Sequence, residues 1–168
     1  MIWAAIAFLI LAILAAGAVS IAWFSIHPPR LAIRKTPASF GAAFEEIEFL
    51  SRDGTRLSGW WVPAENPRAV LILCHGMASN RQQMLPWAEW LWKDGFSLLL
   101  FDFRAMGKSE GRYCTMGLNE PEDILGAVDY VKSREDSANL PLGWTAREVV
   151  LPTIPAAVPA PPSSRWRA

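Results

Sequence analysis

The chain has 168 residues, 52% of them hydrophobic, with 16 basic and 16 acidic side chains and a formal net charge of zero. That balance, with no basic block, gives no electrostatic footprint for nucleic acid and argues against such a partner. Cys74 and Cys114 lack metal-ligand spacing and read as free thiols, so no disulfide framework, metal or cofactor is expected.

Ile2 to Ile26 is a run of 25 residues without a charge. At 1.5 Å per residue it is long enough to cross a hydrocarbon core of about 30 Å. A cleaved signal peptide is the competing reading. Small residues at Ala15 to Val19 would suit it, but no basic segment comes first, and the run exceeds the usual ~7–15 residues. Trp3 and Trp23 fit the two interfaces, and His27-Pro28-Pro29 ends the helix. Residues 1–27 are therefore read as a single-pass transmembrane anchor whose partner is the lipid bilayer, through residues 2–26. Arg30, Arg34 and Lys35 follow the span, which places the C-terminal part in the cytoplasm. Residues 28–43, with Pro28, Pro29, Pro37 and Gly41, read as a linker.

Phe44 to Leu50 sets Phe44, Ile47 and Phe49 among glutamates, Ser51-Arg52-Asp53-Gly54 supplies turn chemistry, and Thr55 to Val62 is β-rich: a hairpin. Trp60 and Trp61 suit core packing better than a ligand site. Ala69 to Gly76 (Ala-Val-Leu-Ile-Leu-Cys-His-Gly) reads as a buried parallel strand, although periodicity alone also allows a short buried helix; the break at Gly76 favours the strand. Met84, Trp87, Ala88, Leu91 and Trp92 form a helical apolar stripe, with Pro86 in its first turn and Gly95 at its end. Phe96 to Phe103 is a second buried strand, which completes a right-handed βαβ unit. After a loop over Arg104 to Leu118, Asn119 and Glu122 have capping-box spacing for a helix whose apolar face is Ile124, Ala127, Val128 and Val131. Leu140-Pro141-Leu142-Gly143 looks like the approach to a third parallel strand that does not arrive, which would leave Phe96 to Phe103 as an apolar edge. From Trp144 the chain reads as a disordered tail, 144–168, with five prolines between Pro152 and Pro162.

These pieces resemble the α/β-hydrolase fold, in particular membrane-anchored serine hydrolases of the serine-aminopeptidase and esterase type, over residues 44–143. The resemblance rests on Asp53-Gly54 and Gly59-Trp60 in the hairpin, on His75-Gly76 with Asn80, and on Asp102-Phe103-Arg104-Ala105-Met106-Gly107-Lys108-Ser109-Glu110-Gly111. Ala105 and Met106 stand where the family commonly has Gly and His. The fold implied is α/β: a transmembrane helix, then an incomplete hydrolase sheet made of a hairpin and a parallel βαβ unit, then the Pro-rich tail.

The resemblance also implies an oxyanion-hole region at His75, Gly76 and Met77, with the Met77 backbone N–H as donor. A fixed donor of that kind is worth about 3–4 kcal/mol of barrier. His75 itself reads as a structural hydrogen-bonding group rather than a base. Asp102, Arg104, Gly107, Ser109 and Gly111 form the family's loop motif. Gly107-Lys108-Ser109-Glu110-Gly111 spells Gly-x-Ser-x-Gly, but neither a strand enters it directly nor a helix leaves it, so Ser109 reads as loop-structuring before nucleophile.

The family orders its triad nucleophile, acid, histidine, and no histidine follows His75. The expectation is thus the N-terminal part of a serine hydrolase, inactive as it stands through truncation or a shifted reading frame. A small-molecule ester or peptide substrate would be taken only by a complete domain. The alternative is a non-catalytic anchored interaction module using the Pro-rich tail.

Overall fold

A computed structural model describes residues 2–146. Helix α1 (Ile2–Ile26) carries no charged residue, its Ser20 and Ser25 hydroxyls donate to the carbonyls four residues back, and it has no buried residue. Strands β1 (Glu45–Leu50), β2 (Arg56–Val62), β3 (Ala69–Cys74), β4 (Phe96–Phe101) and β5 (Leu142–Ala146) form one sheet in the order β1-β2-β4-β3-β5. Helix α2 (Leu85–Lys93) joins β3 to β4, and α3 (Glu120–Ser133) joins β4 to β5. β2 is antiparallel to both β1 and β4, whereas β4, β3 and β5 run parallel.

The positions of the helices follow from chirality. The β3–α2–β4 connection steps one way along the sheet and the β4–α3–β5 connection steps back past β3. Right-handed crossovers therefore put α2 and α3 on opposite faces. The side chains divide accordingly: Val70, Ile72 and Cys74 of β3 join a core with Ile124, Ala127 and Val131 of α3, and Leu71 and Leu73 join one with Leu85, Ala88 and Leu91 of α2. Both faces of β3 are thus covered, which is why its sequence shows no polar alternation. Trp60 and Trp61 are buried core residues, one on each face. Pro86 lies in the first turn of α2, and Gly95 follows the helix with φ +86°.

Three expectations need correction. The third parallel strand is present: Leu142–Ala146 pairs with Val70–Cys74 and runs past Gly143. The prolines that suggested a break begin only at Pro152, and Trp144 and Thr145 are good strand formers. Nor is β4 an edge, because β2 closes one side of it and β3 the other. Lastly, Asn119 makes no side-chain cap to α3. The Glu120 carboxylate instead ties the preceding loop to the start of α3, accepting from the N–H groups of Thr115 (2.7 Å) and Gly117 (2.6 Å) and from the Thr115 hydroxyl (2.8 Å). The Pro-rich segment 147–168 lies outside the described residues.

Helix α3 comes so close to the β1–β2 turn that a Cβ on Gly126 would sit 2.5 Å from the Leu50 carbonyl oxygen and 2.6 Å from Ser51 Cα. The Arg52 N–H bonds the Glu122 carbonyl across this contact at 3.2 Å. At an exposed helical site, Gly→Ala gains about 1 kcal/mol. Here Gly126→Ala is expected to lose about 1–3 kcal/mol through overpacking against backbone. A lowered thermal midpoint of the chain in detergent micelles checks this.

Candidate functional site

In open α/β sheets, chemistry gathers beyond the carboxyl ends of the parallel strands. β3 ends there in His75-Gly76-Met77, and β4 ends in the loop that starts at Asp102. Both loops begin in buried surroundings, so every backbone group released from the ladder needs a new partner.

His75 is fully buried, with Nε2 3.1 Å from the Phe103 nitrogen and Nδ1 2.7 Å from the Gly76 carbonyl oxygen. The Phe103 N–H can only donate, so Nε2 accepts and Nδ1 carries the proton and donates to Gly76. Burial pushes the imidazole pKa below its ordinary value and keeps the ring neutral. Both ring nitrogens are therefore spent on backbone. The Gly76 N–H donates to Gln83 Oε1 at 2.7 Å. The next amide, Met77 N–H, meets no acceptor among the described residues, and its side chain is exposed. Ala78, with φ +53°, closes the turn, and Asn80 caps the following 3-10 turn (Arg81–Met84) through the Gln82 N–H.

Asp102 is fully buried, and its two carboxylate oxygens accept from the backbone N–H groups of Arg81 (2.7 Å) and Lys108 (2.9 Å). It thus binds the β3 loop to the β4 loop. The second bond brings the chain so close that a Cβ on Gly107 would fall 2.1 Å from Asp102 Oδ2, and Gly107 has φ +48°. Ser109, 1% exposed, donates its hydroxyl to the Asp102 carbonyl at 2.5 Å and accepts from the Ser58 N–H at 2.9 Å. The segment 107–111 is a loop at the end of β4, with no helix leaving it.

Arg104 crosses from this loop to α3 and the hairpin. Its guanidinium meets Asp123 at 2.6 Å and Asp53 at 2.7 Å, and its N–H adds a bond to Asp123 at 3.0 Å. Gly111 packs behind it, where a Cβ would lie 2.8 Å from the Ala105 nitrogen. Ala105 itself has φ +62°, a conformation that costs an L-residue about 1–2 kcal/mol and that glycine adopts freely. The glycine usual at this place in the resembling family is explained by that backbone angle.

Sequence reasoning missed Arg81, whose guanidinium is fully buried. It donates to Ser58 Oγ at 2.9 Å, meets Glu46 at 3.2 Å and lies 4.5 Å from the Trp60 ring centroid. An arginine opening a helix looks like a solvent residue in sequence, so no signal was available. Asp123 was missed for the same reason. A cleft of about 500 Å³ lined by Glu46, Ile47, Glu48, Ser58 and Lys108 lies on the hairpin side. Its charged groups are engaged in ion pairs, Lys108 with Glu46 at 3.4 Å and Glu48 with Arg56 at 3.6 Å. Among the described residues no three His, Cys, Asp or Glu side chains converge as metal ligands.

Residues 65–142 match the family model of serine aminopeptidase S33. The chain is 38% identical over 97 residues to the uncharacterized protein YfhR of Escherichia coli (strain K12), covering 55% of this chain and 34% of that protein. It is 35% identical over 94 residues to the thiohydrolase aneE of Aspergillus aculeatus, covering 54% and 30% respectively. The structure of the Pyrococcus furiosus esterase Pf2001 superposes with a TM-score of 0.67 at 33% identity, covering 72% of this chain and 48% of that one. The chain thus spans about a third of the length of these curated relatives. The class defined by fold and matches is the α/β hydrolase, of which this chain carries an N-terminal portion. Within that class, residues 65–142 resemble the serine aminopeptidase family, and the fold resembles that of the Pyrococcus furiosus esterase.

The Arg104 guanidinium, assisted by the Ser51 hydroxyl, holds the Asp53 carboxyl well below the usual carboxylate range. A depressed folded pKa contributes stability that is complete above the unfolded value of about 3.9 and is lost as pH falls through the folded one. The intact chain should therefore lose this stability as pH falls below about 4, and Asp53→Asn should flatten that part of the profile. Denaturant midpoints measured across this range check the difference.

Proposed function

We propose that residues 44–146 form the front of a serine hydrolase acting on ester or amide bonds, to which they contribute the Met77 N–H as an oxyanion donor. The observation carrying this reading is the juxtaposition of that unpaired amide with the exit of β5: Ala146 lies opposite Cys74, one residue before His75. β5 therefore ends beside the start of the Met77 turn. When a nucleophile attacks a carbonyl carbon there, the π electron pair moves to the oxygen, and a preplaced N–H stabilises the charge without reorganising.

Residues 1–168 by themselves have no turnover in this reading. Ser109 is spent on two backbone groups. His75 has no free nitrogen and no histidine follows it, so a nucleophile–base pair is missing from these residues.

The same reading makes α1 a retained anchor with the domain on the cytoplasmic side. Its composition also fits a leader, but the segment after it is fastened to the domain. The Ile26 carbonyl accepts from the Cys114 N–H at 2.8 Å, and the Arg30 guanidinium donates to the carbonyls of Gly107 (3.0 Å), Ser109 (2.5 Å) and Gly111 (3.0 Å).

A chimera tests the reading: residues 44–142 of this chain joined to the remainder of the Pyrococcus furiosus esterase. It is expected to react with a fluorophosphonate probe and to hydrolyse a short p-nitrophenyl ester. Met77→Pro, which removes the amide hydrogen, should lower kcat about 10²–10³-fold at an unchanged thermal midpoint, while Met77→Ala changes it little. Residues 1–168 alone should not label. A folded chimera indifferent to Met77→Pro would contradict the assigned donor, and labelling of residues 1–168 that disappears with Ser109→Ala would overturn the reading of that serine.

A further inference from the structure

Apart from α1, the exposed large apolar side chains among the described residues are Leu31, Leu50, Met77, Tyr113, Met116 and Leu118. Met77 adjoins the exit of β5, and Leu50 lies at the hairpin turn. The other four gather where the chain leaves α1: Leu31 in the segment that follows it, and Tyr113, Met116 and Leu118 in the loop after β4. Leu118 is 78% exposed and Met116 54%.

Contacts hold Tyr113 and the backbone of Leu31 beside the segment that leaves α1, and Met116 and Leu118 follow Tyr113 in the same loop. The His27 ring stacks on Trp23, with centroids 3.9 Å apart, and meets Tyr113 edge-on at 6.4 Å. The Cys114 N–H bonds Ile26, and the Asn80 amide donates to the Leu31 carbonyl at 2.9 Å. The segment after α1 therefore lies across the carboxyl ends of β3 and β4 instead of extending away from the domain. Arg34, Lys35 and Arg112 border the patch without a carboxylate partner among the described residues. By contrast, the acidic groups nearby are engaged: Glu110 with Arg56, and Glu120 with Thr115 and Gly117.

We propose that this patch, Leu31 with Tyr113, Met116 and Leu118, is seated in the surface of the bilayer that α1 spans, with the three basic side chains on anionic headgroups. The occupant is lipid because the patch continues directly from the end of an apolar helix and because its rim carries uncompensated positive charge. Apolar loop side chains that enter the headgroup and acyl boundary reach about 5–10 Å into it, and basic neighbours add attraction to anionic lipid. The carboxyl ends of β3 and β4 then face the membrane, and with them the Met77 turn. The class of substrate that follows is an acyl ester or amide presented from the bilayer, not one free in solution. This rests on the membrane reading of α1.

The test uses the full chain in vesicles of phosphatidylcholine with phosphatidylglycerol. Met116→Cys, Leu118→Cys, Leu50→Cys and, within α1, Val19→Cys are each labelled with nitrobenzoxadiazole, and the native chain with its buried Cys74 and Cys114 gives the background. Labels at Met116 and Leu118 should shift their emission to the blue and be quenched by shallow doxyl lipid at least about twofold more than the label at Leu50. They should also return toward the Leu50 value when phosphatidylglycerol is omitted. Quenching at Val19 with none at Met116 or Leu118 would overturn the proposal while leaving the anchor in place. No quenching at Val19 would overturn the anchor itself, and the proposal with it.

Discussion

A parallel strand that ends inside a protein releases amides and carbonyls that the ladder no longer pairs, and the carboxyl edge of this sheet is organised by that constraint. The neutral His75 ring bonds the Phe103 N–H and the Gly76 carbonyl, Asp102 takes the N–H groups of Arg81 and Lys108, and Ser109 bridges Asp102 and Ser58. Residues that look catalytic by type are thereby committed to backbone. Leaving a buried amide unpaired costs about 1–3 kcal/mol, so each of these side chains has a structural reason to be there without any chemistry. The Met77 N–H contrasts with that background, a donor in an exposed turn that no described residue satisfies.

A second layer holds the loops at this height. Arg104 connects the β4 loop to α3 through Asp123 and to the hairpin through Asp53, and Arg30 reaches into the same loop from the segment after α1. Each guanidinium spreads several donors over groups far apart in sequence, a task that its planar fork suits and an ammonium does not. The loop after β4 therefore takes its shape from both sides, from the domain and from the segment that joins it to α1. In our proposal the orientation of the carboxyl edge toward lipid follows from this fastening.

Much of the framework was legible because it depends on local pattern. The limits of α1, the hairpin, the buried runs of β3 and β4 and the place of Pro86 can all be read from charge, alternation and turn chemistry. What could not be read depends on contacts distant in sequence. Strand order is one case: a short segment such as Leu142–Ala146 carries too few residues to show a period, and only its pairing with β3 identifies it. The start of α3 is another, since Asn119 has the spacing of a cap but makes no cap bond, while Glu120 is drawn back onto the amides of Thr115 and Gly117 in the preceding loop. In the site, His75-Gly76 and the Asp102–Gly111 run were visible as motifs. The burial of Arg81 over Trp60, by contrast, required the fold.

The central claim is that His75 is a neutral structural clamp at the ends of β3 and β4, with the Met77 amide left unpaired among the described residues. Nitrogen-15 NMR of the imidazole in the full chain tests it most directly. The account predicts a protonated Nδ1, an unprotonated Nε2 coupled through a hydrogen bond to the Phe103 amide, and a pKa held below the ordinary imidazole value by burial. A ring that titrates near its ordinary pKa, or that carries its proton on Nε2, would contradict it.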